Sequence, residues 1–368
     1  MKIYLKIANT IIIILSVLVI LSCSSDDKNT NENPDDKFNT SQMLSDISSG
    51  SILPSISLFK DKAIELEESV SNFASDQSEE KLLIAQKKWK EAARSYANIY
   101  VFNIGRPKEL FMHELLFNWP TFTEAIDNSI TQNTEIIAES ISTRAKGLTG
   151  IEYLLFADTG TSNADIVALF SSTSRRTEYL TSITTNLKEK AILLSEIWNE
   201  NGENYSNTFI TNTETGLNGS LNMIFNGMFN VAETIKKAKL GKPAGLENTS
   251  STNPQILQAF RSEISLDLIE NNIKTIESVY FTSSGLGISD NVEFITKNST
   301  INDRIKTQFT LIYTAINKIT MPLHLAIDQQ KQAVEEVYTE IKTLVVLLNN
   351  DVGSTLSIII TPTDNDGD

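Results

Sequence analysis

Apolar side chains recur at alternating steps of three and four along most of this chain, and that spacing leaves little room for anything but helices. Between Asp76 and Phe102 the series is Leu82, Ala85, Trp89, Ala92, Tyr96 and Ile99, which falls on one stripe of a helix. Asp76 with Glu79 is placed to open it as a capping box. Leu180, Ile183, Leu187, Leu194 and Trp198 repeat the pattern in a helix predicted to stop near Gly202. Leu217, Leu221, Ile224, Met228, Val231 and Ile235 predict a further helix, closed by Gly241-Lys242-Pro243. Ile305, Phe309, Ile312, Ile316, Ile319 and Leu323 predict another, which Pro322 should kink or break by removing a backbone donor. Val334, Val337, Ile341, Val345 and Leu348 form the last. The best β-branched run, Leu356 to Ile360, is short. The expectation is an all-α fold of two packed helical bundles, residues 41–210 and 211–368, divided in the polar stretch Glu200 to Thr215. Long helices with short polar connections favour antiparallel neighbours.

The amino terminus does not belong to either bundle. Lys2 and Lys6 precede an apolar run from Ile11 to Leu21, broken only by Ser16, and Leu21-Ser22-Cys23 follows. The run is short for a membrane span and gives way at once to a polar tract, which is the pattern of a cleaved signal, residues 1–22. The end resembles the lipobox of bacterial lipoproteins, in which the cysteine becomes the lipidated first residue. Cys23 is the single cysteine, so the mature chain has no disulfide to lean on and its stability must come from packing. Residues 23–40 are rich in Asp, Asn and Ser and have almost nothing apolar to bury. They read as a flexible acidic tether. Ser24 rather than an aspartate follows the cysteine, which by resemblance points to the outer membrane, facing the periplasm or the cell surface.

The formal net charge is −15, and loss of residues 1–22 would take away two further positive charges, Lys2 and Lys6. No basic cluster is left to neutralise phosphates, so nucleic acid is not an expected partner. The membrane, through the lipid, is.

Residue supply closes most routes to catalysis. There are two histidines, His113 and His324, and a catalytic zinc usually takes three protein ligands including imidazoles. His113-Glu114 begins like a zinc-protease helix motif, but the position four after His113 is Phe117. Both histidines read as packed or surface residues. Neither a phosphate-binding glycine loop nor a Gly-x-Ser-x-Gly elbow is present. What stands out is Glu152, a carboxylate inside the apolar stretch Lys146-Gly147-Leu148-Thr149-Gly150-Ile151-Glu152-Tyr153-Leu154-Leu155-Phe156. Burying a carboxylate is costly unless it is paired, hydrogen-bonded or bound to a cation. On the residues alone it reads as a half-buried group satisfied by a local arginine or backbone donor.

That same stretch resembles the signature of the imelysin-like family of bacterial envelope proteins, Gly-x-His-x-x-Glu continuing into Tyr-Leu-Leu. Gly147 and Glu152 match, Tyr153-Leu154-Leu155 continues it, and Thr149 stands at the histidine position. Further family-like pieces follow in order: Ile104-Gly105-Arg106-Pro107, Asn118-Trp119-Pro120, Arg175-Arg176 with Tyr179-Leu180 and Trp198, Ser265-Leu266-Asp267 with Asn271, and Val279-Tyr280. Gly285-Leu286-Gly287 with Asp290 and the acidic tail Thr363 to Asp368 complete the series.

The resemblance implies a two-domain helical fold with a site near the domain interface. It also implies a link to iron uptake, and the family is catalogued among metallopeptidases. On it, the binding residues would be Glu152, Thr149, Gly147, Arg106, Ser265, Asp267 and Asn271. Thr149 offers only a neutral hydroxyl, so Glu152 and Asp267 would be the metal ligands, for iron or another divalent cation. The leading expectation is an envelope binding protein associated with iron-uptake components rather than a competent metallopeptidase. The alternatives are a metal-dependent peptidase, or a structural lipoprotein whose site has decayed. An open polar cleft holding Glu152, Arg106 and Asp267 is what the binding reading expects.

Overall fold

The computed structural model describes residues 37–132, 135–158, 160–247 and 250–361. The signal segment, Cys23, the tether up to residue 36 and the acidic tail from residue 362 lie outside them. Among the described residues there is no strand, and no helix is long and apolar enough to cross a membrane. Asn39–Asp368 form one compact unit, inside which two bundles of helices lie against each other.

Helix α1 (Thr40–Ile47) runs through a π-helical turn, Ser48–Ile52, into α2 (Leu53–Ser75). Asp76 closes α2, its amide bonded to the Asn72 carbonyl, so it does not form the expected capping box. Ser78 caps α3 (Glu79–Ala97) instead, its hydroxyl accepting from the Lys81 amide. Short helices follow: α4 (Arg106–Glu109), α5 (Met112–Phe117) and α6 (Thr123–Thr131). Then come α7 (Gly147–Phe156), α8 (Asn163–Ser172) and the long α9 (Ser174–Trp198). The polar stretch expected to divide the chain contains α10 (Tyr205–Thr211), which packs against α1.

The second half begins with α11 (Ser220–Thr234), prolonged by a π-helical turn to Gly241, and continues with α12 (Ser265–Phe281) and α13 (Ile288–Thr296). It ends with α14 (Thr300–Ile316), α15 (Leu323–Gln329) and α16 (Lys331–Val346). The predicted helix through residues 305–323 is therefore broken in two, and Pro322 sits at the cap of the second piece, where its missing N–H costs nothing. The run Leu356 to Ile360 forms no strand.

In the first bundle α2 packs on both α3 and α9, with α7 wedged against α3 and α9. Trp89 is its centre: fully buried, edge-on to Phe117 and Phe156, with its indole N–H donating to the Leu148 carbonyl at 2.9 Å. Losing such a ring costs about 3–5 kcal/mol. In the second bundle α14 and α16 pack as a pair, joined by α11, α12 and α13. The seam between the bundles is where α12 crosses α3. The last carbonyls of a helix lack intrahelical donors, and α12 supplies them: Asn272 Nδ2 donates to the Ala97 carbonyl at 2.7 Å and the Thr275 hydroxyl to that of Asn98 at 3.3 Å.

Candidate functional site

Along this seam the structure places two different environments, and of the residues singled out by sequence Gly147, Thr149 and Glu152 fall in the closed one. Gly147 opens α7 at φ +59°, and a Cβ there would lie 2.6 Å from the Leu116 carbonyl oxygen, so glycine is required for α7 to approach α5. Thr149, two residues on, is 1 % exposed and pairs with the Thr121 hydroxyl at 3.2 Å. Glu152, one turn further, is 2 % exposed. Its Oε1 accepts from both the backbone N–H and the hydroxyl of Ser262, each at 2.8 Å, which ties α7 to the segment leading into α12. Desolvation raises the Glu152 pKa against the opposing pull of Ser262 and the nearby Arg261 charge. Arg261 itself reaches Asp158 and stacks over the Tyr153 ring. The carboxylate is thus buried rather than half-buried, and Ser262, 110 residues away, supplies its donors in place of the expected sequence-local group.

The other residues do not gather round it. Asp267, in the first turn of α12, is held by Arg94 at 2.6 Å with its side chain 44 % exposed. Arg106 is at the surface, paired with Glu203 at 3.0 Å and Glu109 at 3.5 Å. Ser265 is buried as the first residue of α12. Asn271 is half-buried, its carbonyl accepting from the Thr275 hydroxyl, and it is the adjacent Asn272 that enters the seam. Glu152 and Asp267 share no partner, and as arranged they are not a pair of hard oxygen ligands for one cation. Among the described residues no three His, Cys, Asp or Glu side chains gather as a metal-ligating group.

The open environment lies between the other ends of the bundles. A cleft of about 330 Å³ is walled on one side by the Tyr100–Phe102 turn and α5, and on the other by α11, with Thr361 at its edge. Gly227 allows the two walls to meet at its base, since a Cβ there would lie 2.3 Å from the Val101 carbonyl oxygen. That volume falls in the lower range of small-ligand sites. His113 and Glu114 present themselves from α5, Asn103 and Asn118 flank them, and Asn222, Asn226 and Asn230 descend one face of α11.

The chemistry of this cleft is unusual in what it leaves undone. Asn103 Oδ1, Glu114 Oε2 and Asn230 Oδ1 are each closed off from water without a hydrogen-bond partner among the described residues. Orphaned buried oxygens are rare in folded proteins, and three around one cleft mark an arrangement that awaits donors. His113 hydrogen-bonds the Tyr96 hydroxyl through Nδ1 and lies 4.4 Å, centroid to centroid, from the Tyr100 ring. Burial, aided by the Lys239 charge, pushes its pKa down to about 3, so it is neutral at physiological pH. Behind the wall, the Lys239 ammonium donates to Asn272 Oδ1 at 2.5 Å and faces the rings of Tyr100 and Trp119 at 4.9 and 5.4 Å. Burial lowers its pKa to about 7.

His113 and Glu114 are the residues that sequence reasoning set aside, because the zinc motif they begin fails at Phe117. The aromatic and amide residues around them, Tyr96, Tyr100, Asn103, Asn118 and Trp119, are the signal that could have marked them. Tyr96, Tyr100 and Asn103 are four and three residues apart, but Asn118 and Trp119 come from a separate segment, so only the fold collects the set.

The family model described as peptidase M75, imelysin, matches residues 52–349. No curated protein matches the chain. Among solved structures, an imelysin-like protein from Psychrobacter arcticum 273-4 is similar at a TM-score of 0.72 and 17% identity, covering 88% of this chain and 97% of its own. A protein from Parabacteroides distasonis ATCC 8503 described as an iron-regulated protein A precursor is similar at a TM-score of 0.71 and 16% identity, covering 86% of this chain and 95% of its own. At these identities the likeness to both is one of fold.

Proposed function

This chain belongs to the imelysin family, and on that premise we propose that it is a lipid-anchored envelope protein that holds a ligand in the cleft beside His113 and Glu114, in the service of iron acquisition. The anchor rests on the signal-like run ending at Cys23. The iron connection rests on the family and on the description of the Parabacteroides relative. One observation carries the binding site: a cleft of about 330 Å³ whose walls hold three buried oxygens that have no donor among the described residues.

The donor set favours recognition. One neutral imidazole, one carboxylate, the Lys108 ammonium and five amides can orient a polar ligand. Iron in this reading arrives within a larger ligand or through a partner protein, because Glu152 and Asp267 are already engaged with Ser262 and Arg94.

Protein purified natively from iron-starved cells tests this directly. We expect a co-purifying ligand, found by mass spectrometry and metal analysis, that Glu114→Ala loses and folded Glu152→Ala keeps. A ligand lost from Glu152→Ala and kept by Glu114→Ala would move the site to the seam. For the anchor, Cys23→Ala should abolish fatty-acid labelling and release the protein from the membrane fraction.

A further inference from the structure

The last described residues are strapped along one face of α11. Asn222 Oδ1 accepts from the Ile359 amide at 2.8 Å while its Nδ2 donates to the Ile359 carbonyl at 3.1 Å. One turn on, Asn226 Nδ2 donates to that same carbonyl at 2.9 Å, and its Oδ1 accepts from the Thr361 amide at 2.8 Å. Two side-chain amides thus hold residues 359 and 361 as a neighbouring strand would in a sheet. The spacing allows it: four residues of helix rise about 6 Å, and two residues of extended chain rise about 6.6 Å. A further asparagine at the same interval can take the amide of the next alternate residue.

Asn230 stands at that interval. It lines the cleft at whose edge Thr361 lies, and its Oδ1 is closed off from water with no donor among the described residues. The register puts Thr363 opposite it, in the segment 362–368 outside the described chain. The sequence agrees at the position that is least forgiving. Pro362 has no N–H to donate, and alternation turns position 362 away from α11, where none is required. A proline at 361 or 363 instead would leave Asn226 or Asn230 without its amide. Proline also biases the residue before it, Thr361, toward extended backbone. Charge does not oppose the path, since Asp364 follows into a cleft lined by the Lys108 ammonium as well as the Glu114 carboxylate. Two residues of chain tether the Thr363 amide to the asparagine row, an intramolecular advantage that no free ligand has.

We propose that the protein's own residues 362–364 continue the strap and cover this end of the cleft, with the Thr363 amide donating to Asn230 Oδ1. This does not depend on the ligand reading above, but it bounds it. A ligand has the His113 and Glu114 side of the cleft to itself and reaches Asn230 only by displacing the strap.

Amide hydrogen exchange tests this, resolved residue by residue by NMR in the full mature chain kept free of lipid by Cys23→Ala. We expect slow exchange at Ile359, Thr361 and Thr363 and fast exchange at Asp364. Thr363 should exchange about tenfold more slowly than in a free peptide of residues 361–368, as one hydrogen bond allows. Asn230→Ala should return Thr363 to the rate of the peptide while Ile359 and Thr361 keep theirs. The wild-type pattern alone decides the register should that variant not fold. Thr363 exchanging as in the free peptide overturns the proposal, and so does protection that survives intact in Asn230→Ala. Protection that fades on dilution would make the occupant a second copy's segment and would also overturn it. A co-purifying ligand lost in Glu114→Ala, found together with an unprotected Thr363, would sink this inference while leaving the cleft a binding site.

Discussion

Glu152 and Glu114 lie on two sides of one question. Both are carboxylates on short helices in the first half of the chain. Glu152 stands in an apolar run, is all but sealed, and has both Ser262 donors on it at 2.8 Å. Glu114 stands in a mixed segment, is half-buried, and keeps a buried oxygen without any donor. The conspicuous carboxylate is the one whose Oε1 is engaged twice over in holding the bundles together. The inconspicuous one has capacity left for something else. A polar group in greasy surroundings draws notice because burial is costly, but that cost obliges the fold to satisfy it, and a satisfied group is a structural tie.

The contrast breaks most readily at the seam. Glu152→Ala would strand the Ser262 N–H in a dry interior, leave its hydroxyl only the Ala259 carbonyl at 3.2 Å, and remove the link between α7 and the approach to α12. We expect a loss of about 4 kcal/mol in urea denaturation; an unchanged midpoint would show that the tie carries no load. Gly147→Ala comes next, at about 3 kcal/mol, because the new Cβ meets the Leu116 carbonyl in a left-handed backbone. Ligand binding by whatever fraction stays folded should be intact in both.

Acid separates the two regions by sign. Neutral His113 is held near pKa 3, against 6.5 for the free side chain. Between those values the unfolded chain takes up the proton more readily, so this group's contribution is complete above pH 6.5 and is lost as pH falls through the window, at about 1.4 kcal/mol per unit. Glu152 acts oppositely: its pKa is raised above 4.5, so its contribution is complete at lower pH and is lost as pH rises through that value. Chemical denaturation from pH 6.5 down to 4 should show falling stability that flattens in His113→Gln, and an unflattened slope would mean that the imidazole is not the group responsible. Glu114→Gln should be smaller still, changing stability by under about 1 kcal/mol. Its effect is expected in binding, at about tenfold. A large loss of stability there would make Glu114 a second structural tie and erase the contrast.

How far the sequence reaches follows from the same distinction. Periodicity along α3, α9, α11 and α14 is a local property, and the helices stand where the apolar stripes put them, with an error at punctuation such as Asp76, while the break expected at Pro322 is where α14 and α15 part. Glu152 was legible as a satisfied carboxylate because the cost of its burial is local too. Its donor was not, since Ser262 lies 110 residues away. The cleft was invisible for the same reason: Asn103, Glu114 and Asn230 come from three segments, and what marks them is the absence of a partner, which no single stretch of sequence records. The choice of Asn271 over Asn272 is the smallest case. One step along a helix turns a side chain by about 100°, and only the packing of α12 on α3 says which of the two meets the Ala97 carbonyl.

The last and smallest test concerns Asp267, which the family-like motif offered as a metal ligand and the fold places outside both regions. Its carboxylate pairs with Arg94 at 2.6 Å, but the two side chains are 44 % and 40 % exposed. Water screens such a pair and the long arginine loses entropy in making it, so exposed pairs contribute little. Asp267→Ala should cost no more than about 0.5 kcal/mol and should leave both the Glu152 tie and any cleft ligand untouched. If it instead strips metal or ligand from natively purified protein as thoroughly as Glu114→Ala, then Asp267 and Arg94 separate when ligand arrives, and the seam opens toward the cleft rather than standing closed beside it.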